Sequence, residues 1–481
     1  MHYQIVRYIL GMVMKVEAVL LLLPFLAGLV YREPQAFSFL IMAIVSAAAA
    51  FAMTFKKPAK FVFYPREAIV SVSLSWILIS IVGALPFVIN GDIPSFTNAL
   101  FETISGFTTT GASILEDVEA LSHASLFWRS FTHWIGGMGV IVFMLAIVPM
   151  TGGYNAQLMR AESPGPTFGK LVPKVKESAK ILYLIYFGMT LVQIVLLLIA
   201  KMPLFDALCM TFGSAGTGGF GVRNTSAADY TMLQQAILTI FMILFGVNFN
   251  AYYYLYLGKD KKQAFEMEEV RWYLIIIAIS TTLIAVNVRS YFSSAFEAFH
   301  HAFFQVGSII TTTGYSTVDF DVWPTLSKGI LVLLMFIGAC AGSTGGGLKV
   351  SRVIILWKSV RQQVSQYLHP KSVSVIKVDS HTQEKSVVTG VLVYFALYAF
   401  LFVGSMFVLM LDGRQDLLTD FTAVTATFNN IGPGLAGVGP AKNFNALSVL
   451  SKYTLMFDML AGRLELYPML MLFVPSVWKK H

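Results

Sequence analysis

Four short stretches of this 481-residue sequence carry polar residues and a glycine inside strongly apolar surroundings. The third reads ITTTGYS over 310–316, and the first reads FTTTGAS over 107–113. Related glycine turns follow the segments that begin PLFDALC and DLLTDFT. Threonine or asparagine lies just before each glycine, so hydroxyl and carbonyl oxygens are available as ligands. The four key glycines are Gly111, Gly218, Gly314 and Gly432.

The composition indicates that these turns belong to a membrane protein. The chain is 56% hydrophobic and 12% charged, whereas soluble proteins are about 25% charged. Apolar runs near the bilayer-spanning length of about 20 residues recur along the chain. We expect the first to be an anchor helix, since it lacks a signal-peptide cleavage site. The ten predicted spans are 5–30, 36–55, 68–90, 126–149, 179–200, 231–257, 272–288, 326–358, 387–411 and 447–477.

Basic residues indicate how the spans are oriented. Lysine and arginine cluster in the loops after every second span, and acidic residues cluster in the opposite loops. Because basic loops stay in the cytoplasm, both termini are predicted to be cytoplasmic. The basic residues are divided among separate loops, so no nucleic-acid partner is expected. The basic loops lie around 56–66, 170–176, 259–262 and 361–377.

The glycine turns define an internal repeat. Each one ends a short amphiphilic segment that lies between two full spans, and the unit recurs four times. The predicted fold is an all-α polytopic membrane protein, with a fourfold pseudo-repeat of helix–pore loop–helix around one central pore and two extra N-terminal transmembrane helices. The predicted segments are 1–67 for the N-terminal extension and 68–160, 161–265, 266–380 and 381–481 for the four repeats.

Glycine turns at membrane depth can bind a cation. Non-helical backbone is tolerated there only where it is buried in protein or lines a cavity, and glycine allows carbonyls to point inward. A ring of such carbonyls replaces the hydration shell of a small cation, and the hydroxyls of Thr110, Thr217 and Thr313 can add ligands. A single turn could equally be a helix C-cap, but the fourfold occurrence favours the ring.

Several longer stretches resemble the potassium transporters of the Trk/Ktr/HKT superfamily. They are TFNNIGPGL, WIGGMGVIVF, SPGPTFGKLVPKVKESAKILYLIY, GACAGSTGGGLKVSR and AGRLELYP. The resemblance covers essentially the whole chain, and the two extra N-terminal spans point to the TrkH branch. It implies a non-enzymatic potassium uptake subunit of the bacterial inner membrane that works as a homodimer. It also implies a cytoplasmic ring of TrkA-like proteins that bind nucleotides and gate the pore.

The resemblance implies which ion passes. In that family, glycine at all four filter positions goes with potassium, and all four are glycine here. The turns differ in sequence, so we expect potassium preference with rubidium and weaker sodium passage. Potassium is the substrate, and no covalently bound cofactor is expected. The residues expected to bind it are Thr109, Thr110, Gly111, Thr217, Gly218, Thr312, Thr313, Gly314, Asn430, Ile431 and Gly432.

A glycine-rich stretch breaks the eighth predicted span. A phosphate-binding loop requires G-x-x-x-x-G-K-[ST], and Leu348 and Val350 break that pattern. The stretch is then either a packing contact between helices or a mobile intramembrane loop that blocks the pore, as in the resembled family. We favour the loop. The expected gating residues are Gly342, Ser343, Thr344, Gly345, Gly346, Gly347, Lys349 and Arg463.

Arg463 lies in the last predicted span, where a charge usually faces a partner or water. It either pairs with Asp458 or Glu465, or it extends into the pore beneath the filter and holds the loop closed. Lys349 either lies near the same region or extends to the cytoplasm.

Three functions remain open from the sequence: a channel-like uptake subunit, a potassium symporter coupled to protons or sodium, and a non-transporting sensor. Most acidic residues lie in loops, which favours the first. Glu102 is expected to be a buried partner or to tune the field, and His300 and His301 are expected to pack or hydrogen-bond rather than bind metal.

Overall fold

The computed structural model describes residues 1–58, 64–139, 175–256, 261–371 and 375–479. Within them the chain forms twenty α-helices, three 3-10 turns and one two-stranded hairpin. The first helices are α1 Tyr3–Leu20, α2 Leu22–Val30, α3 Ala36–Thr54, α4 Pro65–Asn90, α5 Phe96–Phe107 and α6 His123–Gly137. The middle helices are α7 Val175–Ile199, α8 Leu204–Ala215, α9 Met232–Phe245, α10 Phe249–Tyr256, α11 Lys262–Glu266, α12 Glu268–Asn287, α13 Ala295–Ile310 and α14 Thr325–Ile337. The last elements are α15 Val350–Leu368, β1 Lys377–Val378, β2 His381–Thr382, α16 Lys385–Asp412, α17 Leu417–Phe428, α18 Val449–Arg463, α19 Tyr467–Met471 and α20 Pro475–Trp478. The 3-10 turns are Arg289–Tyr291, Phe320–Val322 and Ala436–Val438.

Six helical segments of the described chain are long and apolar enough to cross a membrane, and the bent pair α9–α10 makes a seventh. All seven coincide with predicted spans, so the protein is a multi-pass membrane protein. The six are Tyr3–Val30, Ala36–Thr54, Pro65–Asn90, Lys180–Ile199, Glu268–Asn287 and Lys385–Asp412.

The span predicted at 231–257 is apolar but not straight. The axes of α9 and α10 meet at 90°. Gly246 ends α9, and the Asn248 side-chain oxygen accepts the N–H of Asn250 at 3.0 Å. An asparagine that caps a helix N-terminus in this way starts a new helix in a new direction.

The break predicted in span 326–358 is confirmed. Helix α14 ends at Ile337 and α15 begins at Val350, with non-helical backbone between them. Three glycines and Lys349 take positive φ in this segment, and Lys349 has φ 77°. We call residues 338–349 the intramembrane loop.

The last predicted span, 447–477, is wrong in its length. Helix α18 ends at Arg463 because Glu465 and Leu466 adopt left-handed φ values of 64° and 62°. The N–H of Leu466 closes the helix by donating to Ala461 O at 2.8 Å, and Pro468 follows, as is common after a helix C-cap. Arg463 therefore lies at a helix end and not in the middle of a span.

Helix α6 covers the first part of the span predicted at 126–149, and residues 140–149 lie outside the described chain. The boundary predicted between 160 and 161 and the basic loop at 170–174 lie outside it as well.

The hairpin connects the middle of α15 with the start of α12. Its strands are antiparallel, with Lys377 opposite Thr382. Lys358 Nζ on α15 donates to Lys377 O at 2.7 Å and to Glu268 at 2.6 Å, which joins the hairpin to the start of α12.

Apolar packing groups the helices into two main clusters. The larger joins α1, α3 and α4 to α5, α6, α17 and α18, with Trp76 and Trp128 fully buried in it. The second joins α9 and α12 to α15, and it also includes Ile431 and Leu435. The N-terminal helices are therefore packed against the rest of the protein rather than attached loosely.

Gly11 offers a test of this packing. A Cβ on Gly11 of α1 would lie 2.7 Å from Thr54 Cγ2 and 2.8 Å from Met53 Cβ of α3. We expect Gly11→Val to destabilise the fold by about 1–3 kcal/mol through overpacking, seen as a lower midpoint of thermal unfolding in detergent. The control is Gly390→Val in α16, where a Cβ meets nothing within 4 Å. Equal shifts for the two variants would contradict the close contact of α1 with α3.

Candidate functional site: four glycine turns and the loop beneath them

Four short helices, α5, α8, α13 and α17, end in the same backbone path. After each helix come four residues, which we number as positions 1 to 4 of a turn. The N–H at position 3 donates back five residues into the helix, at 2.7–2.8 Å in all four cases. This is the Schellman closure of a helix C-terminus. Turn 1 is 108–111, turn 2 is 216–219, turn 3 is 311–314 and turn 4 is 429–432.

Position 2 is left-handed in every turn although none of its residues is glycine. The φ values are 55° for Thr109 and Thr217, 59° for Thr312 and 54° for Asn430. Non-glycine residues held there cost about 1–3 kcal/mol each and cluster at functional sites.

Position 4 is a glycine with positive φ in every turn, and in turn 2 it is not the expected residue. The residues are Gly111, Gly219, Gly314 and Gly432, with φ between 80° and 98°. The sequence comparison of the turns placed Gly218 here and aligned Thr217 with Thr110. The structure places Gly218 at position 3 and Thr217 at position 2, because α8 ends one residue later relative to its threonine.

The four turns contact one another in cyclic order. In each case a Cβ built on the position 4 glycine would collide with the position 3 carbonyl of the next turn, so only glycine permits this approach. The pairs are Gly111 with Gly218 O at 2.0 Å, Gly219 with Thr313 O at 2.0 Å, Gly314 with Ile431 O at 2.0 Å, and Gly432 with Thr110 O at 2.8 Å.

The side chains of the turns repeat only in part. In turn 1 the hydroxyls of Thr108 and Thr110 lie 2.8 Å apart, and turn 3 has the same pair at the same distance. In turn 4, Asn430 Nδ2 donates to Thr110 Oγ1 at 2.9 Å and so connects turn 4 to turn 1. Turn 2 has glycine at positions 1, 3 and 4.

A cavity of about 140 Å³ opens at one end of the turns, and all four position 4 glycines line it. Its lining includes one acidic side chain, Glu116, and the basic side chains of Arg129, Arg223 and Lys442. Asn224 Nδ2 donates to Asp117 Oδ1 at 2.8 Å, and this bond lowers the pKa of the Asp117 carboxyl below its ordinary value. Asn224 lines the cavity, so the Asp117 carboxylate keeps a negative charge next to one of the lining residues.

Glu102 is a buried partner, the first of the two alternatives raised by the sequence. Its Oε1 accepts from Arg129 Nε at 2.5 Å, and both side chains are buried. Arg129 also donates to Gly221 O at 2.8 Å, beyond turn 2. Sequence reasoning missed Arg129 and His133, which lie on α6 behind turns 1 and 2.

The intramembrane loop lies against turns 3 and 4 at the end opposite the cavity. The N–H of Gly346 donates to Thr312 Oγ1 at 2.6 Å. A Cβ on Gly345 would lie 2.9 Å from Thr311 O, and one on Gly346 would lie 2.4 Å from Asn429 O. The loop backbone therefore packs directly on the turns.

Arg463 donates to carbonyls of two other parts of the chain. Nη1 bonds Thr344 O of the loop at 2.7 Å, and Nη2 bonds Gly136 O and Gly137 O of α6 at 2.6 and 2.7 Å. Both carboxylates considered as its partners make other contacts. Glu465 forms an ion pair with Arg352, and Asp458 accepts from Ser405 at 2.6 Å. Lys349, also buried, donates to Gly345 O within the loop.

Glu269 fixes both ends of the loop, and no sequence pattern marked it. Its Oε1 accepts the N–H of Ala341 at 2.6 Å and that of Ser351 at 3.0 Å. Its Oε2 accepts from Asn248 at the bend between α9 and α10, at 3.2 Å. The loop is thereby connected to α12 and to the bent pair.

The two histidines of α13 make hydrogen bonds. His300 Nε2 lies 2.8 Å from Gln235 Oε1, and His301 Nδ1 lies 2.9 Å from Thr317 Oγ1. Across the described ranges, no group of three or more histidine, cysteine or acidic side chains is arranged to hold a metal ion.

Known proteins resemble this chain over its whole length. A family model described as the cation transport protein TrkH matches residues 33–480. The Trk system potassium uptake protein TrkH of Salmonella typhimurium is 35% identical over 490 residues and covers 100% of both chains. The Trk system potassium uptake protein TrkG of Escherichia coli is 32% identical over 486 residues, covering 99% of each. The crystal structure of the potassium transporter TrkH from Vibrio parahaemolyticus superposes with a TM-score of 0.89 at 32% identity, covering 100% of both chains.

Proposed function

This chain belongs to the TrkH family of cation transport proteins, and we propose that it takes up potassium across the bacterial inner membrane through a channel-like pore. The observation that carries the proposal is the cyclic contact of the four glycine turns. Four turns that each bring a carbonyl to the next glycine enclose an axis, and oxygens around such an axis can replace the hydration shell of potassium.

In this proposal the selectivity filter consists of positions 2 to 4 of each turn, within a fourfold repeat of helix, pore loop and helix that follows two additional N-terminal helices. The potassium ligands come from the residues expected from the sequence, with Gly219 added in turn 2. The side chains differ from turn to turn, which supports an incomplete selectivity for potassium, with rubidium and some sodium also passing. The Asp117 carboxylate, which accepts a hydrogen bond from the cavity residue Asn224, contributes a negative charge near the outer cavity that favours cations there.

The intramembrane loop is the proposed gate, with Arg463 as its latch. The guanidinium connects α18 to α6 and to Thr344 of the loop. The guanidinium is buried, and its permanent positive charge opposes the passage of another cation. Glu269 maintains the loop position from the other side.

The remaining parts of the proposal concern partners and orientation. The Met1 ammonium donates to Lys479 O at 2.9 Å, which supports placing both termini on one side, the cytoplasm. A homodimer and a cytoplasmic ring of TrkA-like nucleotide-binding proteins are proposed by family resemblance. Movement of the hairpin and α15 by such a ring would reach the loop directly, since α15 continues it.

Flux into liposomes that contain the purified chain tests the function. We expect potassium and rubidium to enter down their gradients, with sodium slower and no dependence on a proton gradient. Uptake that requires an imposed proton or sodium gradient would instead support the coupled symporter. A flat response with and without a TrkA-like partner and nucleotides would contradict transport altogether.

Serine at position 4 tests the filter. In Gly111→Ser and Gly314→Ser, the new Cβ would collide with the carbonyl of the next turn, so the ring must widen. We expect sodium uptake relative to potassium to rise about tenfold, since ring geometry sets the discrimination. Gly404→Ser in α16 is the matched control, because a Cβ there meets nothing within 4 Å. The filter assignment fails if both variants keep the original ratio.

Alanine at Arg463 tests the latch. Arg463→Ala removes the hydrogen bonds to Thr344, Gly136 and Gly137 and a buried charge beneath the turns, so we expect basal potassium flux without any partner to rise about tenfold or more. Deleting part of 342–347 is expected to act in the same direction. Arg289→Ala is the control, since that exposed arginine donates to Phe292 O. Unchanged basal flux in both gate variants would assign the loop to packing.

A further inference from the structure

Turn 2 lacks the side chain that the other turns carry at position 3. That position holds Thr110, Thr313 and Ile431 in turns 1, 3 and 4, and Gly218 in turn 2. The φ of Gly218 is not among the positive values, so its backbone conformation does not require glycine. Another reason must exclude a side chain there.

The imidazole of His133 occupies the missing volume. A Cβ on Gly218 would lie 2.2 Å from both Cγ and Nδ1 of His133, and a rigid ring held at both ends does not move aside easily. His133 is fully buried on α6, and its ring lies 4.3 Å from that of Phe220. In turn 2 the His133 side chain therefore occupies the volume that the position 3 side chain occupies in turns 1, 3 and 4.

Both ring nitrogens of His133 are used, and they connect two turns. A backbone N–H can only donate, so Nε2 accepts the Phe220 N–H at 3.2 Å and must be the unprotonated nitrogen. Nδ1 then carries the proton and donates to Gly106 O of α5 at 2.8 Å. The imidazole thus connects the helix that ends in turn 1 to the residue that follows turn 2.

The hydrogen bond to Phe220 also determines where the carbonyl oxygen of the preceding residue, Gly219, points. The Phe220 N–H and the Gly219 C=O belong to one planar trans peptide, where they point in opposite directions. Holding the N–H toward α6 directs the Gly219 carbonyl away from α6. In turn 4 the corresponding residue is Pro433. Proline has no N–H, so no hydrogen bond of this kind can direct the Gly432 carbonyl.

We propose that His133 is a specificity-determining positioning residue, which aims the Gly219 carbonyl and replaces the absent position 3 side chain of turn 2. The inference rests on the proposed potassium uptake. It assigns the selectivity of the turn with the fewest side chains to a residue that contacts no permeating ion.

Paired substitutions test the shared volume. Rubidium uptake into liposomes by the full chain is measured in competition with potassium or sodium, for wild type, Gly218→Ala, His133→Ala and the double variant. We expect Gly218→Ala to lower the preference for potassium over sodium about fivefold in the wild-type background. In the His133→Ala background, which has room for the new methyl group, it should change the preference less than about twofold. Equal effects in the two backgrounds would overturn the proposal.

Two further variants test the hydrogen bonds and remain informative if His133→Ala does not fold. The amide oxygen of His133→Gln can accept the Phe220 N–H, whereas His133→Leu has a similar size and no acceptor. We expect the glutamine variant to keep the preference within about twofold and the leucine variant to lose about fivefold. His300→Leu, a buried histidine bonded to Gln235, is the control and should keep it. Equal preference in the two His133 variants would remove the positioning role.

The wild-type measurement separates the two levels of inference. If the wild type itself does not prefer potassium over sodium, the proposed function fails. If it does and every His133 and Gly218 variant retains that preference, only the role of His133 fails.

Discussion

Backbone N–H groups in each of the four turns donate hydrogen bonds to the short helix that precedes the turn, and the rest of the site depends on this constraint. In each turn the N–H groups at positions 2 and 3 donate into the final turn of the short helix. The carbonyls joined to those amides in the same trans peptides must then point away from that helix. Carbonyls at membrane depth require polar surroundings, which water and the permeating cation supply under the proposed function. The strain at four left-handed residues, about 1–3 kcal/mol each, accompanies this arrangement in every turn.

The helices beside the turns approach them with backbone against backbone. A Cβ on Gly136 of α6 would lie 1.8 Å from Phe107 O, and one on Gly462 of α18 would lie 2.1 Å from Phe428 O. Phe107 and Phe428 are the last residues before turns 1 and 4. Arg463 follows Gly462 directly and donates to Gly136 O. The same two close contacts therefore position the guanidinium that contacts the loop. Because packed interiors transmit strain, a shift of either helix reaches a turn and the loop together.

The sequence predicted the features that depend on hydrophobicity and glycine content, and it missed those that depend on contacts between distant segments. Apolar length located seven spans, and the glycine run located the break before Val350. The register of turn 2 was wrong because GTGG contains several glycines, and only the backbone distinguishes Gly219 from Gly218. His133 and Arg129 lay within the span predicted at 126–149 and were missed, because nothing in the order of residues reveals that α6 faces turns 1 and 2. The end of α18 at Arg463 was missed because hydropathy contains no information about the backbone dihedral angles that end the helix.

Under the proposed function, the carbonyls around Arg463 and those of the four turns stabilise cations by the same chemistry, and this similarity suggests how a gate of this kind can work. Arg463 is surrounded by the carbonyls of Thr344, Gly136 and Gly137, much as potassium would be surrounded by carbonyls in the turns. A guanidinium held there is a tethered cation, with its charge stabilised by oxygens instead of water. Under the proposed function, closing the pore places a fixed cation below the filter and opening removes it. The Gly346 N–H, which donates to Thr312 Oγ1 of turn 3, is a second donor beneath the turns. Release of the loop would therefore break its contacts with Arg463 and with turn 3 in one movement, so gating and the shape of the filter need not be independent.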